Sequence, residues 1–207
     1  MQNPWLEIPL ADYEGHMASE AVRQLEPLAV LFSEVLARRQ PESVALLGVA
    51  GGNGLDRIDC GTTHRIVGVD CNPSYIDAVR ERFSHLRGLE LHCVDLAAAR
   101  VELGPVELVH AALVFEHAGT KLCLENSLSL VAAGGAISIV LQLPATADAN
   151  VGSSGIASIQ KLKNHFHLID PEWLCDEVAR RGFELSFETC VALAGGKGLW
   201  MGIFLRL

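Results

Sequence analysis

The feature that most constrains this 207-residue chain is an alternation of short apolar runs with helical segments. The apolar runs are residues 43–48, 65–70, 89–94, 106–111 and 135–143. Short continuous apolar runs are typical of parallel strands that are buried on both faces. Strands that alternate with helices predict a doubly wound, Rossmann-like α/β sheet that is mostly parallel, with right-handed crossovers.

Both ends of the chain depart from this alternation. Residues 183–193 and 198–207 are strand-like and are joined by a short Ala-Gly-Gly-Lys segment, which predicts a C-terminal hairpin with one antiparallel strand. Residues 19–39 have helical periodicity, and we expect Pro27 to divide them into two short helices. We therefore predict one domain over residues 1–207, with an N-terminal helical cap over residues 1–41.

Further helices are predicted between the strands. Asn72-Pro73 begins one that runs to about Phe83, residues 120–132 form another that Gly134 ends, and a third begins at Asp170-Pro171 and ends at Gly182. Residues 144–169 lack both periodicities. A long loop directly after a strand is often a functional cover, so we interpret this segment as a lid over a ligand site.

Composition and charge restrict the partners. Half of the residues are hydrophobic and the formal net charge is -9, which disfavours a nucleic-acid partner. No apolar run is long enough to span a membrane, and no secretory signal is recognisable at the N-terminus. Six scattered cysteines without a CxxC pair favour a reduced cytoplasm. The oligomeric state stays open, a homodimer included.

The first candidate site is the glycine-rich turn of residues 46–54, Leu-Leu-Gly-Val-Ala-Gly-Gly-Asn-Gly. It follows a predicted strand and, we expect, precedes a helix. Glycines let the backbone approach a ligand closely, and a helix N-terminus would direct its N–H groups at that ligand. A phosphate-binding P-loop is excluded, because no Gly-Lys-Ser/Thr follows.

Two carboxylates follow the next two predicted strands. Asp70 lies 22 residues after Gly48, a spacing at which a carboxylate accepts hydrogen bonds from the ribose hydroxyls of an adenosine. Asp95 ends the third strand, where a carboxylate can accept from the exocyclic amine of adenine. The alternatives are that Asp70 caps the turn before Asn72 and that Asp95 is an ordinary loop residue.

Together these segments resemble the class I S-adenosylmethionine-dependent methyltransferases, over most of the chain from Ser43 onwards. The resemblance rests on the glycine turn, on Val-Gly-Val-Asp-Cys-Asn-Pro at 67–73, on Cys-Val-Asp at 93–95 and on Val-His-Ala-Ala-Leu-Val-Phe-Glu-His at 109–117. It implies S-adenosylmethionine as cofactor and a small molecule as methyl acceptor. The cofactor residues it implies are Gly48, Val49, Ala50, Gly52, Asp70, Cys71, Val94, Asp95, Leu96, Ala111 and Ala112.

The resemblance also points to residues for the acceptor. Glu116 and His117 follow the fourth strand, beside the expected position of the methyl group, and either could act as a base for a hydroxyl or amine. Their alternative roles are a helix cap and a packed side chain. Tyr13, His16 and Met17 are expected to fold over the site with the lid. His165 and His167 have no third ligand nearby, so no metal is expected.

Two positions depart from the family pattern. The family usually carries an acid at position 46, which helps to hold the amino group of the cofactor, and a glycine at position 50; here these are Leu46 and Ala50. Tyr13, Glu14 and His16 are candidates to replace the acid. Two alternatives remain open: an NAD(P)-dependent reductase, disfavoured because no Tyr-x-x-x-Lys pair exists, and a non-catalytic ligand-binding protein on the same scaffold.

Overall fold

A seven-stranded sheet organises the computed structural model, which describes residues 3–145, 154–193 and 196–207. The strands are β1 (Ser43–Leu47), β2 (Arg65–Asp70), β3 (Leu89–Cys93), β4 (Val106–Ala112), β5 (Val131–Leu143), β6 (Phe183–Ala192) and β7 (Gly198–Arg206). Their order is β3-β2-β1-β4-β5-β7-β6. Strands β1 to β5 pair in parallel, and β7 is antiparallel to both β5 and β6. The predicted doubly wound sheet with a C-terminal antiparallel hairpin is confirmed.

Helices cover both faces of this sheet. They are α1 (Leu10–Ala18), α2 (Leu25–Arg39), α3 (Pro73–Arg82), α4 (Phe115–Ala118), α5 (Leu122–Ser129) and α6 (Pro171–Ala179). One apolar cluster packs α2 and α3 against alternate residues of β1, such as Val44 and Leu46. The other packs α4, α5 and α6 against Ala45 and Leu47. The central strands are therefore buried on both faces, which accounts for their continuous apolar runs.

The N-terminal helices differ from the sequence-based expectation. The interruption lies at residues 19–24, where Arg23 has a φ of 45°, and Pro27 does not break α2. Pro27 is the third residue of α2. The first N–H groups of a helix have no intrahelical acceptor, so the missing proline N–H costs nothing there.

The expected helix after the glycine turn is also absent. Only a 3₁₀ turn, Leu55–Arg57, separates the turn from the loop that leads to β2. Asp59 redirects this loop, because its carboxylate accepts from the backbone N–H of Gly61 at 2.9 Å and from the hydroxyl of Thr62 at 3.2 Å. Such local side-chain bonds compete with helix formation. No helix N-terminus therefore faces the site at this position.

The boundary between α5 and β5 differs as well. Residues 120–132 were expected to be helical, but α5 ends at Ser129 and β5 already begins at Val131, which pairs with Val106. Val131 is completely buried, and its β-branched side chain suits a strand. Gly134, expected to end the helix, lies within β5 with a φ of 72°, beside an irregularity in the β4–β5 register.

Candidate functional site

A cavity of about 430 Å³ lies at the carboxyl ends of β1, β2 and β4. This is the edge at which open α/β sheets bind ligands. Twelve of the residues singled out from the sequence line it: Tyr13, His16, Met17, Gly48, Ala50, Asp70, Cys71, Val94, Asp95, Leu96, Ala112 and His117. Four others, Val49, Gly52, Ala111 and Glu116, are not among its lining residues.

Asp70 lies at the end of β2 and is 8% exposed. Its Oδ2 accepts from the N–H of Ala50 at 2.9 Å, and its Oδ1 accepts from the N–H of Asn72 at 2.9 Å. Burial raises the pKa of this carboxyl, and the backbone N–H groups partly oppose that rise. A carboxylate has about four lone-pair sites, so Asp70 both fixes the two loops and keeps acceptor capacity towards the cavity.

Asp95 is already in contact with the N-terminal segment. Its Oδ2 accepts from Asn3 Nδ2 at 2.8 Å, and its Oδ1 accepts from the N–H of Ala97 at 2.9 Å. The chain order brings Asp70 and Asp95 to neighbouring strand ends, because β2 and β3 pair with Asp70 opposite Cys93. The two carboxylates thus lie on the same wall of the cavity.

The glycine turn approaches the cavity through Gly48 and Ala50. Gly48 has a φ of 68°, and a Cβ there would lie 3.0 Å from a methyl of Val114, so the turn needs a glycine at this position. Ala50 adopts a φ of 46°, and its N–H is held by Asp70. Leu46, where the family usually has an acid, is buried in the apolar cluster below and does not line the cavity.

The four residues away from the cavity have other environments. Val49 is buried in the cluster with Leu46, and Ala111 is buried on the opposite face of β4. Gly52 lies against Phe83, since an added Cβ would be 2.3 Å from that ring.

Glu116 is completely buried at the start of α4. Its Oε1 accepts from the N–H of Gln142 at 2.8 Å, whereas its Oε2 has no hydrogen-bond partner. Burial raises the pKa of this carboxyl to about 7. Glu116 therefore braces α4 against the end of β5, and it does not line the cavity.

His117 does face the cavity, within a group of aromatic rings. Its ring lies 4.9 Å from the indole of Trp5 and 5.1 Å from the ring of Phe166, between centroids. Burial lowers the pKa of His117 to about 4, with smaller contributions from nearby histidines, and its Nδ1 has no hydrogen-bond partner. The imidazole is accordingly neutral near pH 7 and keeps one unbonded ring nitrogen.

The N-terminal segment covers the cavity. We call residues 3–17 the first cover segment. Asn72 Nδ2 donates to the carbonyl of Trp5 at 2.8 Å, and the hydroxyl of Tyr75 donates to the carbonyl of Ile8 at 3.0 Å. Glu14 forms an ion pair with Arg82 and does not line the cavity. Of the three candidates to replace the acid at position 46, only Tyr13 and His16 reach the cavity.

The described part of the expected lid lies against the first cover segment. We call residues 154–166 the second cover segment; residues 146–153 of the expected lid are outside the described part of the chain. The 3₁₀ stretch Ser158–His165 contributes Ile159 and Leu162 to a small apolar cluster with Ile8. Ser158 Oγ donates to Asp12 Oδ2 at 2.6 Å. Both cover segments contribute residues to the lining of the cavity.

The sequence analysis did not identify four polar residues of the cavity: Asn3, Gln24, Gln142 and Lys197. Gln24 Nε2 donates to Gln142 Oε1 at 3.0 Å, and Lys197 lies between β6 and β7. Gln24 lies in the turn before α2, Gln142 is a single polar residue in the apolar strand β5, and Lys197 lies in the hairpin between β6 and β7. None belongs to a motif, so only long-range pairing brings them together.

Within the described residues, no group of three His, Cys, Asp or Glu side chains is arranged to hold a metal ion. No helix there is long and apolar enough to cross a membrane. All six cysteines are free thiols.

No protein-family model matches the chain, and no curated protein sequence matches it. Solved structures do. The N-methyltransferase NodS from Bradyrhizobium japonicum WM9, in complex with S-adenosyl-L-homocysteine, superposes with a TM-score of 0.68 at 13% identity over 99% of both chains. An O-methyltransferase family protein from Burkholderia thailandensis gives 0.65 at 22% identity, over 89% of this chain and 56% of that one.

A third similar structure has a different activity in its name. The [4+2]-cyclase SpnF superposes with a TM-score of 0.64 at 12% identity, over 85% of this chain and 80% of SpnF. Identities this low establish shared architecture, and chemistry must be argued from the site. The chain has the fold of the class I S-adenosylmethionine-dependent methyltransferases.

Proposed function

We propose that this protein binds S-adenosylmethionine and transfers its methyl group to a small-molecule acceptor. The observation that carries the proposal is the placement of Asp70 and Asp95 on one wall of the cavity, at neighbouring strand ends. The fold and the complex of NodS with S-adenosyl-L-homocysteine support the choice of cofactor.

The residues present fit this cofactor. A volume of about 430 Å³ is within the range of small-molecule sites. Asp70 has lone pairs left for the two ribose hydroxyls, and Asp95 can accept from the adenine amine. Gly48 brings the backbone of the glycine turn to the lining of the cavity. The missing acid at position 46 means that the amino group must find other acceptors, and the amide side chain of Gln24 is one that lines the cavity.

When bound, S-adenosylmethionine supplies an electrophilic methyl group on a positively charged sulfur. The chain's contribution is to orient the acceptor in line with that methyl and to exclude water. Trp5 and Phe166, one from each cover segment, close the cavity above the strand ends. The neutral His117 can accept a hydrogen bond or a proton from a hydroxyl or amine on the acceptor.

The site gives less support to the alternative functions. A nicotinamide cofactor is not favoured, because the glycine turn is followed only by a 3₁₀ turn and not by a helix whose N-terminus could face a pyrophosphate. The SpnF name shows that this fold also serves a reaction other than methyl transfer, so a binding experiment must be followed by a test of turnover.

Isothermal titration calorimetry tests the cofactor. We expect S-adenosylmethionine and S-adenosyl-L-homocysteine to bind and NAD⁺ and NADP⁺ not to bind. Asp70→Asn should weaken binding by about 1–3 kcal/mol, since charge-assisted hydrogen bonds are lost. Asp77→Asn is the matched control, because Asp77 is exposed on α3. Binding of NAD⁺ without binding of S-adenosylmethionine would reject the proposal.

Turnover is tested by incubating the protein with methyl-labelled S-adenosylmethionine and a library of small phenols, amines and carboxylic acids. Formation of S-adenosyl-L-homocysteine together with a labelled product supports methyl transfer. Cofactor binding without labelled product from any class of acceptor would favour the non-catalytic or non-transferring use of the scaffold.

A further inference from the structure

The cavity contains a cationic residue to which the proposed cofactor site assigns no role, Lys197. Lys197 lies just before β7, whose first residue Gly198 pairs with Leu143 of β5. Its side chain lines the same cavity as Asp70 and Asp95.

Within the described residues, nothing neutralises this ammonium group. Lys197 takes part in none of the ion pairs found there, while Asp70 is held by backbone N–H groups and Asp95 by Asn3. Burial lowers the pKa of Lys197. Burial and, to a smaller extent, the nearby charge of Lys197 lower the pKa of His16. A partly desolvated cation is costly unless an anion pairs with it.

The sheet order separates this cation from the ribose site. Asp70 ends β2, and β1, β4 and β5 lie between β2 and β7. Four strand spacings amount to roughly 19 Å, and a lysine side chain covers only part of that span. Lys197 is therefore at the acceptor side of the cavity, beyond the ends of β4 and β5.

The lining of the same cavity is also apolar and aromatic. Trp5, His117 and Phe166 form a continuous group of rings, and Met17 and Leu113 add apolar side chains to the lining. The ring faces suit a planar apolar body. A molecule that satisfies both features has a flat hydrophobic part and an anionic group.

We propose that Lys197 binds the carboxylate of an aromatic carboxylic acid, which is the methyl acceptor. The role of this acid as methyl acceptor rests on the proposed function. The anion site itself rests only on the position of Lys197 in the cavity and on the absence of an ion-pair partner among the described residues. Lys197 acts here as a specificity-determining residue: it pairs with the carboxylate and so fixes which end of the acceptor faces the strand ends.

The test compares acids with their neutral amides. Benzoate, 4-hydroxybenzoate and 4-hydroxycinnamate are titrated against benzamide, 4-hydroxybenzamide and 4-hydroxycinnamide by calorimetry, with and without saturating S-adenosyl-L-homocysteine. We expect at least one acid to bind ten-fold or more tightly than its amide. In Lys197→Met this preference should fall below two-fold, whereas Lys121→Met, a change at an exposed lysine just before α5 that does not line the cavity, should keep it.

Other results would overturn the proposal or separate it from the proposed function. If the unaltered protein binds no acid, or if Lys197→Met keeps the preference, the proposal is wrong. If Lys197→Met weakens binding of S-adenosyl-L-homocysteine ten-fold or more, Lys197 pairs with the cofactor's own carboxylate and the acceptor assignment is overturned. If no S-adenosyl compound binds but the Lys197-dependent preference persists, the proposed function fails and the anion site survives.

Discussion

Replacing Glu116 by glutamine should stabilise the protein, by an amount that depends on pH. Burial raises the pKa of Glu116 from 4.5 to about 7. A raised carboxyl pKa means that the folded state holds the proton more tightly than the unfolded state. The contribution of Glu116 to the free energy of unfolding is therefore fully present below about pH 4.5 and is lost as the pH rises through 7. The cost of the charge is about 1 kcal/mol at pH 5 and about 3 kcal/mol at pH 8, at 1.36 kcal/mol per pKa unit.

Glutamine removes that cost while preserving the local contacts. Its Oε1 can still accept from the N–H of Gln142, and its Nε2 replaces an oxygen that already lacks a partner. In urea unfolding, Glu116→Gln should therefore exceed the unaltered protein in free energy of unfolding at both pH values. This excess should be about 2 kcal/mol larger at pH 8 than at pH 5. The full gain of about 3 kcal/mol at pH 8 corresponds to a melting temperature roughly 6–12 °C higher.

The matched control for this experiment is Glu184→Gln, at an exposed position on β6. It should leave the difference between pH 5 and pH 8 unchanged. If Glu116→Gln is destabilising at pH 8, or if its effect does not vary with pH, burial does not raise the pKa of this carboxyl and the reasoning fails.

Three further outcomes are expected. Asp70→Asn should also lower the melting temperature of the ligand-free protein, because the amide keeps only one of the two oxygens that accept from the N–H groups of Ala50 and Asn72; an unchanged melting temperature would contradict this structural role of Asp70. Gly52→Ala should cost about 1–3 kcal/mol in urea unfolding, since its Cβ would lie 2.3 Å from the ring of Phe83, and a neutral effect would contradict this packing. If His117 accepts the proton of the acceptor, turnover should fall only as the pH falls towards about 4; a midpoint near 6.5 would place its ring in water.

Much of the fold could be predicted because its signals are local. Asn72 accepts from the N–H of Ser74 and begins α3 with Pro73 in the first turn, as the dipeptide indicated. The apolar runs and the final hairpin also emerged as strands, since burial on both faces and turn chemistry are visible in short windows. Asp70 was found by its spacing from the glycine turn, and the structure adds that it holds that turn in place.

The errors and omissions have long-range causes. Pro27 was read as a helix break because the sequence does not show where α2 begins. Val131 joined a strand because Val106, far away in the chain, was available as its partner. Glu116 follows the end of β4, where a catalytic residue was expected, but its side chain is buried in the interior. Lys197 lines the cavity because β7 pairs with β5. Periodicity assigns a residue to an element, whereas the facing partner decides what its side chain does.

The position of β7 has a consequence for how the chain is made. β7 lies between β5 and β6 in the sheet, yet its first residue, Gly198, follows the last residue of β5, Leu143, by 55 positions. Synthesis proceeds at about 5–20 residues per second, so one edge of β5 lacks its hydrogen-bonding partner β7 for several seconds. This long apolar strand is then an open edge that another nascent chain could pair with. Aggregation during synthesis should therefore depend more on the sequence of β5 than on that of any other strand.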